Sequence, residues 1–325
     1  MAQGKNSCIQ AYGVINKDRE LLRRSSSGGV VSELCREIFD EGGVACACAY
    51  DYDSHKLRHI LIEEVGDLEK IRGSKYFESD ISGVFKIIER ILAKDSNKRT
   101  LFIGTPCQCA AIKRYLNVKR VSTDALVCVD IICHGVGSNR IWSEFVRSIE
   151  EKKATKIVNV SFKDKRRGWL LPYAVANDEK GREFDLCDYM TLYNKGLIMR
   201  EECHACPFAS LDREGDVTVG DFWSVQKTYP SFYNPDGVSS VLCNTEKGRA
   251  LFLKVIDKFN TIPISLEDCL QPNMKRPTLK APLYDRFWSD YDAKGLPYVI
   301  RKYASKTLVD RIRRRILVKL GIWKL

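Results

Sequence analysis

Residues 100–116 read TLFIGTPCQCAAIKRYL. The run Thr100-Leu101-Phe102-Ile103 has the composition of a short buried strand. Gly104-Thr105-Pro106 breaks it, and residues 110–116 resume with helical apolar spacing. Strand, tight turn and helix form the repeating unit of an α/β sheet. The turn brings the Cys107 sulfur near a strand's carboxyl end and a helix's amino end, surroundings that favour thiolate and suit a ligand or nucleophile. Residues 126–132 form a second apolar strand, and it too ends in a cysteine, in Cys133-His134-Gly135-Val136. Two parallel strands of this kind would set Cys107 and Cys133 on one rim.

Outward from this unit, the amino-terminal side supplies strands over 8–14, 44–50 and 57–63, which begin a sheet. Between the first two lies Arg23-Arg24-Ser25-Ser26-Ser27-Gly28-Gly29, followed by helical spacing over 30–39. A serine- and glycine-rich loop opening a helix offers free N–H groups and the positive dipole end to an anion. An ordinary capped turn is the competing reading, because neither a Walker lysine nor GxGxxG is present. Gly73-Ser74-Lys75-Tyr76 joins a flexible backbone, a hydroxyl, a cation and a ring; taken alone it reads as a solvated loop. Residues 68–71 read as a short helix and 81–93 as a longer one.

The carboxyl-terminal side continues with a helix over 141–150 and a strand over 157–162. A basic run follows, Lys163-Asp164-Lys165-Arg166-Arg167-Gly168-Trp169, which is either solvated or a phosphate contact, and then a strand over 173–176. Cys203-His204-Ala205-Cys206 next leads into a strand at 216–219 and Gly220-Asp221-Phe222-Trp223. A strand over 238–244 and a helix over 247–259 complete the body. Residues 271–297, rich in proline and aromatics, are expected to be irregular and packed on it. Apolar residues recur every four positions from Leu308 to Leu320 among arginines, a basic amphipathic helix that could lie on an anionic membrane over 305–320 or pack on its own domain. The expected fold is α/β: a mixed sheet with helices on its faces and a carboxyl-terminal helical extension.

With 325 residues and 44% hydrophobic content, a substantial core is available and global disorder is excluded. The net charge of +11 raises a nucleic-acid or membrane-surface question. The basic residues are dispersed until the last turns, which argues against nucleic acid. The first seven residues carry no signal-peptide pattern, and no apolar run reaches the ~20 residues needed to span a bilayer. A cytoplasmic location is therefore expected, with peripheral contact at the inner membrane face through the tail. Thirteen cysteines, an odd number, argue against a disulfide framework. Cys8, Cys35, Cys46, Cys48, Cys128, Cys187, Cys243 and Cys269 sit in apolar or unremarkable surroundings and read as small buried hydrophobes.

Cys107, Cys133, Cys203 and Cys206 differ: each begins or ends a loop beside a strand. Four thiolates can bind zinc or a 4Fe–4S cluster. One close pair plus two singletons on strand ends favours the cluster; zinc stays open. A zinc-stabilised, non-redox module that binds nucleic acid or an anionic membrane surface is the alternative function.

Six motifs run in one order: SSSGG at 25–29, GSKY at 73–76, GTPCQ at 104–108, CHGV at 133–136, CHAC at 203–206 and GDVTVGDFW at 215–223. Together they resemble the coenzyme F420 hydrogenase/dehydrogenase beta-subunit family over roughly residues 8–260. The resemblance implies a flavin-binding region over 8–98, an iron–sulfur and flavin region over 99–262 and an extension over 263–325. It implies an oxidoreductase with FAD close to a 4Fe–4S cluster held by Cys107, Cys133, Cys203 and Cys206. Ser26, Ser27, Gly28, Gly29, Ser74, Lys75 and Tyr76 would line the FAD, with Thr105, His134, Arg167 and Asp221 at the site. Lys75 would stabilise reduced flavin, and His134 would bond a cluster sulfur or move a proton. Many relatives carry an amino-terminal ferredoxin module with closely spaced cysteine quartets, and this sequence has none. A single cluster is therefore expected, exchanging electrons with a separate carrier such as ferredoxin, whose acidic surface would suit the basic chain. The acceptor is an unidentified small molecule; a role in surface-polysaccharide metabolism and a homodimer are further expectations.

Overall fold

The computed structural model describes residues 10–166, 168–170 and 173–304. Cys8, Arg167 and the basic helix expected over 305–320 lie outside the described residues. The main sheet has nine strands: β1 (Gln10–Asn16), β2 (Val44–Asp51), β3 (Lys56–Ile62), β4 (Ser79–Asp80), β5 (Thr100–Gly104) and β6 (Leu126–Ile131), then strands at Val217–Asp221, Ser239–Cys243 and Phe259–Ile264. A small antiparallel sheet comes between, from β7 (Ile157–Asp164), β8 (Tyr173–Asp178) and β9 (Glu183–Asp185). The last three strands of the main sheet are therefore β10, β11 and β12. Its order is β12-β1-β11-β10-β6-β5-β2-β3-β4. The centre, β2-β5-β6-β10, is parallel, and β1 runs antiparallel between β11 and β12.

Alternation sorts the strand side chains onto two faces. Leu101, Ile103, Val127, Val129, Val217 and Val219 pack on one face, with Leu34 and Ile38 of the helix Val30–Asp40 and Leu251 and Phe252 of the helix Glu246–Val255. Cys46, Phe102, Leu126 and Cys128 face the other way, against the helices Val84–Lys94 and Pro106–Val118. Cys35, Cys46, Cys109, Cys128, Cys243 and Cys269 are buried, and Cys48 and Cys187 are half-buried. A second core lies under the small sheet, where Trp142, Tyr189, Phe162, Phe77 and Phe287 meet.

Three expectations need correction. The helix at 110–116 begins earlier, at Pro106, so Cys107 lies in its first turn. Phe259 opens β12 instead of ending a helix; an edge strand tolerates its Pro263 because one side of its ladder is unpaired. The stretch 271–297 is only partly irregular, because Tyr284–Val299 is helical, interrupted at Gly295 with φ of 75°.

Candidate functional site

The carboxyl ends of β5, β6 and β10 open into a cleft of about 320 Å³. Three loop systems wall it: the serine-glycine turn, the loop around Ser74 to Phe77, and the residues following β6. Lys163 from β7 and Gln271 from beyond β12 close the remaining side.

Gly29 takes φ of 83°, the left-handed region open to glycine, and begins the helix Val30–Asp40 with no side-chain cap. The leading N–H groups of that helix therefore lack a side-chain acceptor beside the cleft. Ser26 Oγ accepts a 2.9 Å bond from Ser74 Oγ, which joins two of the sequence motifs. Ser27 and Gly28 are spent on anchoring. Ser27 Oγ donates to the Val238 carbonyl at 2.8 Å, and Gly28 N–H donates to Ser239 Oγ at 2.8 Å. Ser26, Ser27 and Gly29 line the cleft; Gly28 packs behind it, where a Cβ would stand 2.5 Å from the Val14 carbonyl.

Lys75 also lines the cleft, yet its ammonium donates to the carbonyls of Ile71, Arg72 and Gly73 at 2.7, 3.0 and 3.1 Å. Burial lowers its pKa. Lys163 is a second cation in the cleft, ion-paired with Asp221. Burial opposes its charge, but Asp221 and then Tyr76 outweigh that, and its pKa rises. Lys165, from the same strand end, turns away from solvent. It donates to the carbonyls of Leu22 at 2.8 Å, Ser27 at 3.3 Å, and Asp236, so it pins the serine-glycine turn. Burial lowers its pKa to about 8. Arg166 points elsewhere, pairing with Asp164 and Glu183 in the open.

The four distinctive cysteines lie on three loops within electrostatic reach of one another. Cys107 is exposed at the rim, with Thr105 Oγ 3.0 Å from its sulfur. Gln108 accepts from the Thr105 N–H at 3.0 Å, which fixes the turn. The thiolate expected at Cys107 is not favoured: desolvation raises its pKa, and Cys206 adds to the rise against the Thr105 bond. Burial pushes Cys133 up to about 12, with Cys107, Cys203 and Cys206 each contributing. Cys203 is raised by burial, then by Cys206 and Cys107. These effects link thiols from three separate loops. Among the described residues, no three His, Cys, Asp or Glu side chains converge where one metal ion would sit. A Zn–S bond of about 2.3 Å would place four sulfurs about 3.8 Å apart. A cubane gives each thiolate its own iron and spreads the sulfurs wider.

His134 lines the cleft next to Cys133 and stacks on Trp223, with centroids 4.9 Å apart and planes at 19°. Gln271 Nε2 donates to the Asp221 carbonyl at 2.8 Å, which leaves its Oε1 to accept from His134 Nε2 at 2.9 Å. The ring proton therefore sits on Nε2. Burial lowers the His134 pKa, so the imidazole is neutral near pH 7. Tyr76 meets Tyr193 edge-on at 5.0 Å, and Tyr193 O–H donates to the Gly135 carbonyl at 2.8 Å. Gln271 and Tyr193 carry no sequence signal. Each is recruited from a distant segment, and neither belongs to a motif.

Fold and cleft together define a mixed-sheet α/β protein with a loop-walled cleft at its strand ends. The chain belongs to the coenzyme F420 hydrogenase/dehydrogenase beta-subunit family. Residues 11–86 match its amino-terminal region and residues 97–265 its carboxyl-terminal region. Over 252 residues the chain is 25% identical to one component of the F420H2 dehydrogenase of Methanosarcina mazei, covering 76% of this chain and 63% of that one. It is 24% identical over 247 residues to the beta subunit of the coenzyme F420 hydrogenase of Methanococcus voltae, covering 74% of this chain and 78% of the relative. It spans 34% of the coenzyme F420-dependent sulfite reductase of Methanocaldococcus jannaschii, at 24% identity over 69% of this chain. A chain of the F420-reducing NiFe hydrogenase complex from Methanosarcina barkeri shares the fold, with a TM-score of 0.55 and 17% identity over 80% of this chain and 84% of that one. Among the described residues no helix is long and apolar enough to cross a membrane.

Proposed function

We propose that this chain is an iron–sulfur flavoprotein oxidoreductase that passes electrons between a one-electron carrier and a hydride-type acceptor. The reading is supported by Cys133, which lines a cleft that also holds an uncapped helix amino end and lies within electrostatic reach of Cys107, Cys203 and Cys206. The donor set, four soft sulfur ligands on three loops, is of the kind a cubane takes. Those four residues would hold the cluster. Ser26, Gly29, Ser74, Tyr76 and Thr105 would line the FAD, with the free N–H groups beyond Gly29 facing its phosphates. When bound, the pair would interconvert single electrons and hydride equivalents. Lys163 supplies positive charge in the cleft and Asp221 holds it in place. Neutral His134 keeps its Nδ1 as an acceptor, and Trp223 shields one face of that ring. Ferredoxin or another protein carrier is the expected partner, which agrees with relatives that are components of larger complexes.

Anaerobically purified protein is expected to contain iron, labile sulfide and heat-releasable FAD. Replacing Cys107, Cys133, Cys203 or Cys206 singly with Ser should deplete the iron. Full iron retention in all four variants would refute the assignment, and colourless protein with stoichiometric zinc would favour a non-redox module. Reduction by ferredoxin followed by reoxidation with candidate acceptors would identify the substrate.

A further inference from the structure

The segment from Gln271 to Ala281 lies beyond both matched family regions, yet it touches the two cysteine loops at once. Thr278 is the point of contact. Its Oγ donates to the His134 carbonyl at 2.7 Å and accepts from Asn273 Nδ2 at 2.7 Å. Its own carbonyl accepts from His204 Nδ1 at 2.9 Å. His134 directly follows Cys133, and His204 lies between Cys203 and Cys206. One residue thus bonds to both loops, through its side chain on one side and its backbone on the other. The His204 ring is seated for that single bond: its Nε2 is buried without a partner, and the ring meets Tyr284 edge-on at 5.1 Å. A buried unpaired nitrogen is unfavourable, so the seat is kept for what Nδ1–H does. Lys280 ties the same segment to Glu201 at 3.0 Å and Tyr284 O–H donates to the Met199 carbonyl at 2.8 Å, while Gln271 bonds His134 and the Asp221 carbonyl, so the strap is anchored on both sides of Thr278.

We propose that Thr278 is a positioning residue: it bridges the Cys133 loop and the Cys203–Cys206 loop and sets the spacing of three of the four thiols. The role in cluster binding rests on the reading given above; the bridge itself is a property of the polypeptide. Partners that orient metal ligands without touching the metal commonly change affinity by about 10–100-fold.

The test compares parent protein, Thr278→Val and Thr278→Ser. Valine keeps the shape but removes the hydroxyl; serine restores it. In anaerobic protein challenged with a ferrous chelator, Thr278→Val is expected to release iron about tenfold faster than parent, with Thr278→Ser close to parent. In iron-free protein, hydrogen–deuterium exchange is expected to rise in Thr278→Val in the peptides around 133–136 and 203–206 together, and to stay unchanged in β1 and β11. Unchanged exchange in those two loops, or a rise spread evenly over the chain, overturns the bridge. If the parent binds no iron, the proposed function falls and the exchange measurement still decides the bridge. If Thr278→Val does not fold, Thr278→Ala, which also removes the hydroxyl, carries the same comparison against Thr278→Ser.

Discussion

Asp130→Ala is expected to cost more than any surface change on this chain. Asp130 is fully buried at the end of β6 and pairs with Arg213 at 3.1 Å, itself only 2% exposed in its side chain. Its carboxylate also accepts from the Thr218 hydroxyl at 2.5 Å and from Gly215 N–H at 3.0 Å. Arg213 further donates to the carbonyls of Ile131 at 3.2 Å and Ser210 at 3.3 Å. Removing the carboxylate strands a guanidinium and two donors in the interior. Breaking a buried pair in this way costs about 3–5 kcal/mol. At about 2 °C per kcal/mol for a chain of this size, the melting temperature should fall by about 6–10 °C. Because Arg213 sits in the loop after Cys206, and Asp130 three residues before Cys133, the loss should also loosen the thiols relative to one another. Thermal denaturation of parent, Asp130→Ala, Arg213→Met and the double variant gives the coupling. The double variant is expected to lose about 2 kcal/mol less than the sum of the singles. A single-variant loss under about 1 kcal/mol, or strict additivity, would refute the reasoning.

Gly28→Ala should destabilise by about 1–3 kcal/mol, because its Cβ would meet the Val14 carbonyl at 2.5 Å and the Ser239 nitrogen at 2.9 Å; a melting temperature equal to the parent's would contradict the anchoring role of the turn. His59 predicts acid sensitivity. It is buried, Nε2 donates to the Ile103 carbonyl at 3.0 Å, Nδ1 meets the Ser79 hydroxyl at 3.1 Å, and burial lowers its pKa to about 4. The unfolded chain takes up this proton near pH 6.5 and the folded chain only near 4, so stability falls as pH drops through that window. The full loss is about 3 kcal/mol. Denaturant titrations from pH 7 to pH 4 should show this slope, flattened in His59→Gln.

Sequence reading recovers the parts of this fold whose signal is local. The apolar runs at β5 and β6 predict their own burial, and their terminal cysteines predict a shared rim because parallel neighbours end on the same side. Polar content and Pro263 hide β12, which needs only one hydrogen-bonding partner and no alternating pattern. Pro297 and Gly295 hide the helix Tyr284–Val299, which tertiary packing of Phe287 and Tyr291 sustains. In the site, the serine-glycine turn and the four cysteines are legible as motifs. The engagement of Lys75 by three carbonyls is not, because it depends on how the adjoining loop folds back, and neither is the Lys163–Asp221 pair, which joins segments far apart in the chain.

The placement of β1 has a consequence for biosynthesis. The first described strand finds its partners, β11 and β12, more than two hundred residues later. A ribosome must therefore deliver nearly the whole body before that strand can be sheltered, and such distant pairing is slow to close. The serine-glycine turn hangs from the end of β1 and is anchored to Val238 and Ser239, so it matures with that closure. Any nucleotide gripped there would be loaded after translation, into an otherwise finished molecule.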